Sequence, residues 1–146
     1  MSQPLTQLTE DESLFFNEVE KFARNQIGPH VMSMDEAEEF RPELLKSMFE
    51  LGLMGIEIPT DFGGSGGSFT MAILAVEALA KVDPSASVIC DVQNTLVNNI
   101  FKKWGTPEQQ KKYFPQLATE KVGSYCLTEA NSGSDAFALQ ARAHDE

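Results

Sequence analysis

The densest set of groups able to touch a ligand is the stretch Tyr125-Cys126-Leu127-Thr128-Glu129-Ala130-Asn131-Ser132-Gly133-Ser134-Asp135. It starts as a short strand, Ser124 to Thr128, and runs into a turn rich in hydroxyls and small side chains. Small residues let a ligand approach the backbone closely. The hydroxyls of Thr128, Ser132 and Ser134 are possible donors. Residue types alone describe a polar turn, which is more often a connection than a binding site.

Other candidates carry less. Gly63-Gly64-Ser65-Gly66-Gly67 invites a phosphate reading. No Gly-Lys-Ser/Thr follows it, and its glycines lack the dinucleotide spacing, so a tight connection needing positive φ fits better. His30 and His144 are the only histidines and have no Cys or carboxylate at ligand spacing, so each reads as a surface residue and no metal site is expected. The carboxylates fall mostly in runs, Glu10 to Glu12 and Asp35 to Glu39, which mark solvated faces rather than an acid–base pair. Cys90 and Cys126 match no metal or redox spacing and read as reduced, small core hydrophobes. No catalytic residue is assigned.

The elements that must position the turn are mostly helical. Thr9 to Glu12 is a capping box, and Phe15, Val19, Phe22, Ala23 and Ile27 continue at helical spacing until Gly28-Pro29 stops the helix. An acidic linker, Asp35 to Glu39, precedes a second helix that opens on Pro42 and is closed by Gly52. A five-glycine loop covers 55–68. Further helices are expected over 70–81 and 85–103, and a last one from Thr106, with Gln109 completing its box, to near Pro115. Beyond 119 the texture changes: 124–128 and 137–143 read as strands. Two short strands are marginal alone. They either pack back on the helices as a small α+β domain or open a larger β region cut short at Glu146.

Composition narrows the function classes. Forty-two per cent apolar residues indicate a globular chain. Twenty-two acidic against eleven basic residues give a net charge of −11, which lacks the basic footprint of a nucleic-acid binder and disfavours an anionic membrane surface. No apolar run reaches membrane-spanning length. The first residues, MSQPLTQLTEDE, are neither a signal peptide nor an Arg-rich transit peptide.

Three segments resemble one family. Tyr125 to Asp135 is similar to the acyl-CoA dehydrogenase signature, aromatic-Cys-aliphatic-Ser/Thr-Glu-Pro-Gly-Ala-Gly-Ser-Asp. Gly55 to Gly66, GIEIPTDFGGSG, is similar to its Gly-x-x-x-Pro-x-x-Phe/Tyr-Gly-Gly-x-Gly loop, and Gly105 to Lys111 to its Gly-Thr/Ser-x-Glu-Gln-Lys helix start. They stand in the family's order and spacing. Leu53 to Ile58, Ala80 to Asp83, Gln93 to Leu96 and Glu120 to Gly123 look most like its short/branched-chain branch.

The resemblance implies a mostly α chain, with an N-terminal helical domain over 1–118 and the first strands of a truncated middle β domain over 119–146. It implies FAD-dependent α,β-dehydrogenation of short or branched-chain acyl-CoA thioesters, electron-transferring flavoprotein as acceptor, a homotetramer for the full-length protein and residence in the mitochondrial matrix. By position, Tyr125, Cys126, Leu127, Thr128, Glu129, Ala130, Asn131, Ser132, Gly133 and Ser134 would line the flavin. The Leu127 and Thr128 backbones would face the ring's pyrimidine edge, the Thr128 hydroxyl N5, and Ser134 both cofactor and CoA. Ala130-Asn131-Ser132 replaces Pro-Gly-Ala, with Asn131 expected to take the glycine's left-handed backbone. The family's catalytic glutamate has no counterpart here, so the 146-residue chain is expected to be inactive alone. The alternatives are a non-catalytic helical module that binds acyl-CoA or a subunit, and an acyl-CoA oxidase-like protein.

Overall fold

The computed structural model describes residues 7–144. Helix α1 (Glu10–Phe22) starts where the capping box predicts: Glu12 N–H donates to Thr9 Oγ1 at 3.2 Å, and Thr9 N–H to Glu12 Oε2 at 2.9 Å. The chain does not stop at Gly28-Pro29. A π-helical turn (Ala23–Ile27) and a 3-10 turn (Gly28–His30) lead directly into α2 (Val31–Ala37). The wider turn ahead of Pro29 relieves the clash between its ring and the preceding carbonyl that would end a regular helix. The helical path ends instead at Glu38, with φ 53° the only positive-φ residue other than glycine among the described residues. Asp35, Glu36 and Ala37 of the expected acidic linker are therefore helix.

Helix α3 (Pro42–Glu50) opens on its proline as predicted. Helix α4 (Phe69–Ala80) is capped by Ser68, whose hydroxyl accepts from Met71 N–H. Helix α5 (Pro84–Asp91) is capped by Asp83, which accepts from Ser85 and Ala86 N–H at 3.0 and 3.3 Å. A π-helical stretch (Val92–Asn98) and α6 (Asn99–Trp104) continue it, giving the long rod expected over 85–103. Helix α7 (Pro107–Thr119) has the predicted Thr106/Gln109 box but passes through Pro115. Pro115 faces solvent, while Phe114, Leu117 and Ala118 beside it are buried. Burying such side chains contributes about 1.5–3 kcal/mol for a residue as large as Phe114, which offsets a proline cost of about 3 kcal/mol.

Helix α4 packs between α1 and α5. Its inward face is Ala72, Ala75 and Ala78, all fully buried, so the backbones come close. The main core gathers Phe22, Ile27, Met48, Met54 and Leu79, and a second cluster gathers Ile58, Val97, Phe114, Leu117 and Ala118. The glycine loop seals the second: Phe62 lies 5.6 Å from Phe114, ring to ring. All five N–H groups from Gly63 to Gly67 donate inside the loop, to Thr60, Pro59, Gly55, Ile58 and Ile56 carbonyls. None is left for a phosphate, in keeping with the structural reading of the loop. A Cβ on Gly64 would lie 2.1 Å from Ile58 O, so only glycine fits there.

Among the described residues there is no strand; the expected strands over 124–128 and 137–143 are extended chain joined by a single Glu129–Ser132 bridge. Two causes are visible. The two-residue connection Ala130-Asn131 is made without positive φ, so Asn131 does not adopt the expected left-handed backbone. Such a turn splays the flanking chains instead of twisting them into a ladder. No other strand among the described residues offers them a partner.

Candidate functional site

The turn is reached from the helical rod. Gln93, Asn94 and Asn98 form a polar row on its buried face, each 3% exposed or less. Buried amides must find partners, and these find backbone, except that Asn98 Oδ1 is left without one. Asn94 Nδ2 donates to Leu53 and Cys90 carbonyls at 2.7 and 2.8 Å, and Asn94 Oδ1 accepts from Ile56 N–H at 2.9 Å. Asn98 Nδ2 donates to Met54 O at 2.9 Å. Gln93 Nε2 donates to Leu117 O and Lys121 O at 2.8 and 3.0 Å, and Gln93 Oε1 accepts from Gly123 N–H at 2.8 Å. Asn94 and Asn98 thus hold the chain before the glycine loop, and Gln93 holds the exit of α7. Only the joint spacing of these amides on an otherwise apolar helix face signals them in the sequence.

Beyond Gly123 the chain is exposed from Ser124 to Thr128. Glu129 and Ser132 exchange two backbone hydrogen bonds of 3.0 and 3.1 Å. The Glu129 carboxylate accepts from Gln140 and Ala141 N–H at 2.8 and 3.0 Å, so it ties the returning chain to the turn. Ser132 is buried and its hydroxyl donates to Asp135 O at 2.7 Å. Its hydroxyl is therefore internal, not one of the donors presented outward. Tyr125, Cys126, Leu127, Thr128, Ala130, Asn131, Gly133 and Ser134 are exposed.

The groups presented outward form a coherent set. Among the described residues, the N–H groups of Leu127 and Thr128 and the hydroxyls of Thr128 and Ser134 have no partner within the chain. Apolar surface at Tyr125, Leu127 and Leu139 lies on the same segment. Two successive N–H donors and two hydroxyls are thus open to the hydrogen-bond acceptors of a ligand, beside flanking apolar area. Among the described residues no three His, Cys, Asp or Glu side chains converge.

The cysteines separate. Cys90 is buried and its thiol is pushed up to about 12 by that burial, with an opposing contribution from Asn94, so it stays protonated. Cys126 is exposed, not the core hydrophobe its type suggested, because the strand expected around it has no covering layer. His30 is half-buried and His144 exposed. A groove between α2 and α5, lined by Met32, Met34, Phe40 and Val88 with Asp35 and Glu39 at its rim, shares no residue with the turn.

Residues 9–121 match the family model described as acyl-CoA dehydrogenase, N-terminal domain. The chain is 46% identical over 140 residues to the mitochondrial short/branched chain specific acyl-CoA dehydrogenase of Bos taurus, covering 96% of this chain and 32% of that protein. It is 51% identical over 141 residues to a probable short/branched chain specific acyl-CoA dehydrogenase of Dictyostelium discoideum, covering 97% and 34%. The solved butyryl-CoA dehydrogenase of Megasphaera elsdenii superposes with a TM-score of 0.85 at 30% identity, covering 96% of this chain and 37% of that one. The chain spans about a third of the length of these relatives.

Proposed function

The chain belongs to the acyl-CoA dehydrogenase family, and from that premise we propose that it supplies the N-terminal helical domain, residues 1–118, of a flavin-dependent dehydrogenase of short or branched-chain acyl-CoA thioesters. Residues 119–146 open the middle β domain, whose neighbouring strands would give 124–128 and 137–143 the ladder they lack here. The observation that carries this reading is 46–51% identity, over nearly the whole chain, to short/branched chain specific relatives.

Tyr125 to Ser134 would hold FAD, which when bound supplies the hydride acceptor for α,β-dehydrogenation. The N–H groups of Leu127 and Thr128 would face the ring's pyrimidine edge and the Thr128 hydroxyl N5, where negative charge arrives; fixed donors at such a point favour the charged state without reorganisation. Ser134 keeps a hydroxyl free for the CoA portion and the cofactor. Glu129 and Ser132 act inside the turn: their hydrogen bonds keep its two limbs together. Tyr125, Cys126, Ala130, Asn131 and Gly133 line it with apolar or small surface. None of these residues is assigned as the base that removes the α-proton. Electron-transferring flavoprotein is the acceptor in this reading, in a homotetramer of the mitochondrial matrix.

The test is Thr128→Ala in the complete natural polypeptide that carries this sequence. Losing one donor should cost about 1–4 kcal/mol of transition-state stabilisation, slowing flavin reduction by a short branched acyl-CoA roughly fivefold to several hundredfold. An unchanged reduction rate would remove Thr128 from the role.

A further inference from the structure

We propose that Gln93 and Gly123 form a latch that sets where the flavin-facing turn leaves the helical domain, making Gln93 a positioning residue for the cofactor. This rests on the reading of Tyr125 to Ser134 as the flavin contact.

Gln93 is fully buried and uses its whole amide on the α7 exit: both N–H bonds on Leu117 and Lys121 carbonyls, its oxygen on Gly123 N–H. Those three partners lie within seven residues of chain that lead directly to Tyr125. Gly123 meets the rod without slack. A Cβ there would stand 2.3 Å from Val97 Cγ1 and 3.0 Å from Cγ2. Val97 cannot retreat freely, because it is buried among Ile58, Phe114 and Leu117. Among the described residues, no hydrogen bond ties residues 124–128 to the helices. Gly123 is the last tethered point before the donors of Leu127 and Thr128.

The geometry is unforgiving in one direction. From Gly123 to Leu127 the extended chain spans about 13 Å, at roughly 3.3 Å per residue. A displacement of about 1 Å at Gly123 moves the root from which the segment carrying the two N–H groups leaves the helical domain. Misplacement of that order in a binding site costs about ten- to a hundredfold. A glutamine placed only for core stability would not need to pair with a residue that admits no side chain.

The experiment uses the complete natural polypeptide as holoenzyme and reads FAD dissociation by flavin fluorescence, together with deuterium exchange at the Leu127 and Thr128 amides. Gly123→Ala should loosen FAD about tenfold or more and speed exchange at those amides. Adding Val97→Ala removes the atoms struck by the new methyl and should restore most of the affinity, although it empties part of the core. Should Gly123→Ala not accumulate as folded protein, Gln93→Met removes the same three bonds without a clash and is read the same way. FAD affinity within about twofold of the parent for either single variant, or a double variant no better than Gly123→Ala, overturns the latch. A parent protein that holds no FAD overturns instead the assignment of residues 125–134, and is seen before any substitution is made.

Discussion

Replacing Asn94 by leucine separates the value of a buried amide from that of the space it fills. The two side chains are of similar size, so no cavity opens. What is lost is the set of partners that Asn94 gives the chain ahead of the glycine loop: Ile56 N–H at 2.9 Å, and Leu53 O at 2.7 Å. Leu53 and Ile56 are 1% and 0% exposed, so water cannot take over. The Cys90 thiol, 3.3 Å from Leu53 O, leaves that carbonyl a weak partner, whereas Ile56 N–H has none. A buried orphaned group costs about 1–3 kcal/mol, so Asn94→Leu should destabilise by about 3 kcal/mol. Against a total stability of roughly 5–15 kcal/mol this is large. It corresponds to a Tm lower by roughly 6–12 °C for a chain of this size. Thermal and urea unfolding followed by far-UV circular dichroism measure it, with the exposed Asn25→Ala as control. If Asn94→Leu unfolds within about 0.5 kcal/mol of the parent, the polar row is not what holds residues 53–58 on the rod.

Two further outcomes follow from the titratable groups. Below the Cys90 value of about 12 its thiol stays protonated and covered, while Cys126 is exposed; a thiol reagent at mildly alkaline pH should modify Cys126 promptly and Cys90 only in denaturant. Two fast thiols in native protein would contradict the burial of Cys90. Glu20 is held below its ordinary carboxylate value of 4.5, first by its hydrogen bond to Arg24 and then by that to Lys81. Its folded value being the lower, its contribution is present above the unfolded value and is lost as pH falls through the folded one. Urea midpoints between neutrality and pH about 3 should therefore drop more steeply for the parent than for Glu20→Gln; parallel acid limbs would show that the α1–α4 pairing carries no pH dependence.

The helix starts were readable because capping is local: Thr9 with Glu12, and Thr106 with Gln109, need only a three-residue spacing to be recognised. The glycine loop was readable for the converse reason, since a phosphate site would have required a lysine and a spacing that are not there. Helix ends were harder. Gly28-Pro29 and Pro115 carry strong local stop signals, and each was overridden, by a change of helical gauge in one case and by buried neighbours in the other. Residue types described the stretch only as a polar turn, its flavin reading came from the resemblance, and its internal economy was not legible: the inward hydroxyl of Ser132 and the bridging carboxylate of Glu129 depend on contacts that no local pattern encodes. The most instructive case is Gln93 with Gly123. Both lie in short segments whose texture resembled the short/branched-chain branch, yet their pairing across 30 residues becomes visible only in the fold.

The buried polar row also bears on the order in which the chain can assemble. Asn94 closes onto residues 38 and 41 positions earlier, and Gln93 onto residues 24 to 30 positions later. Loop-closure entropy grows so slowly with length that these two closures differ by only about 0.3 kcal/mol. Neither has precedence, and both seat on adjacent residues of one helical stretch. The Val92–Asn98 stretch is thus a kinetic crossroads: once it is helical, the segments before and after it can dock in either sequence, each without waiting for the other.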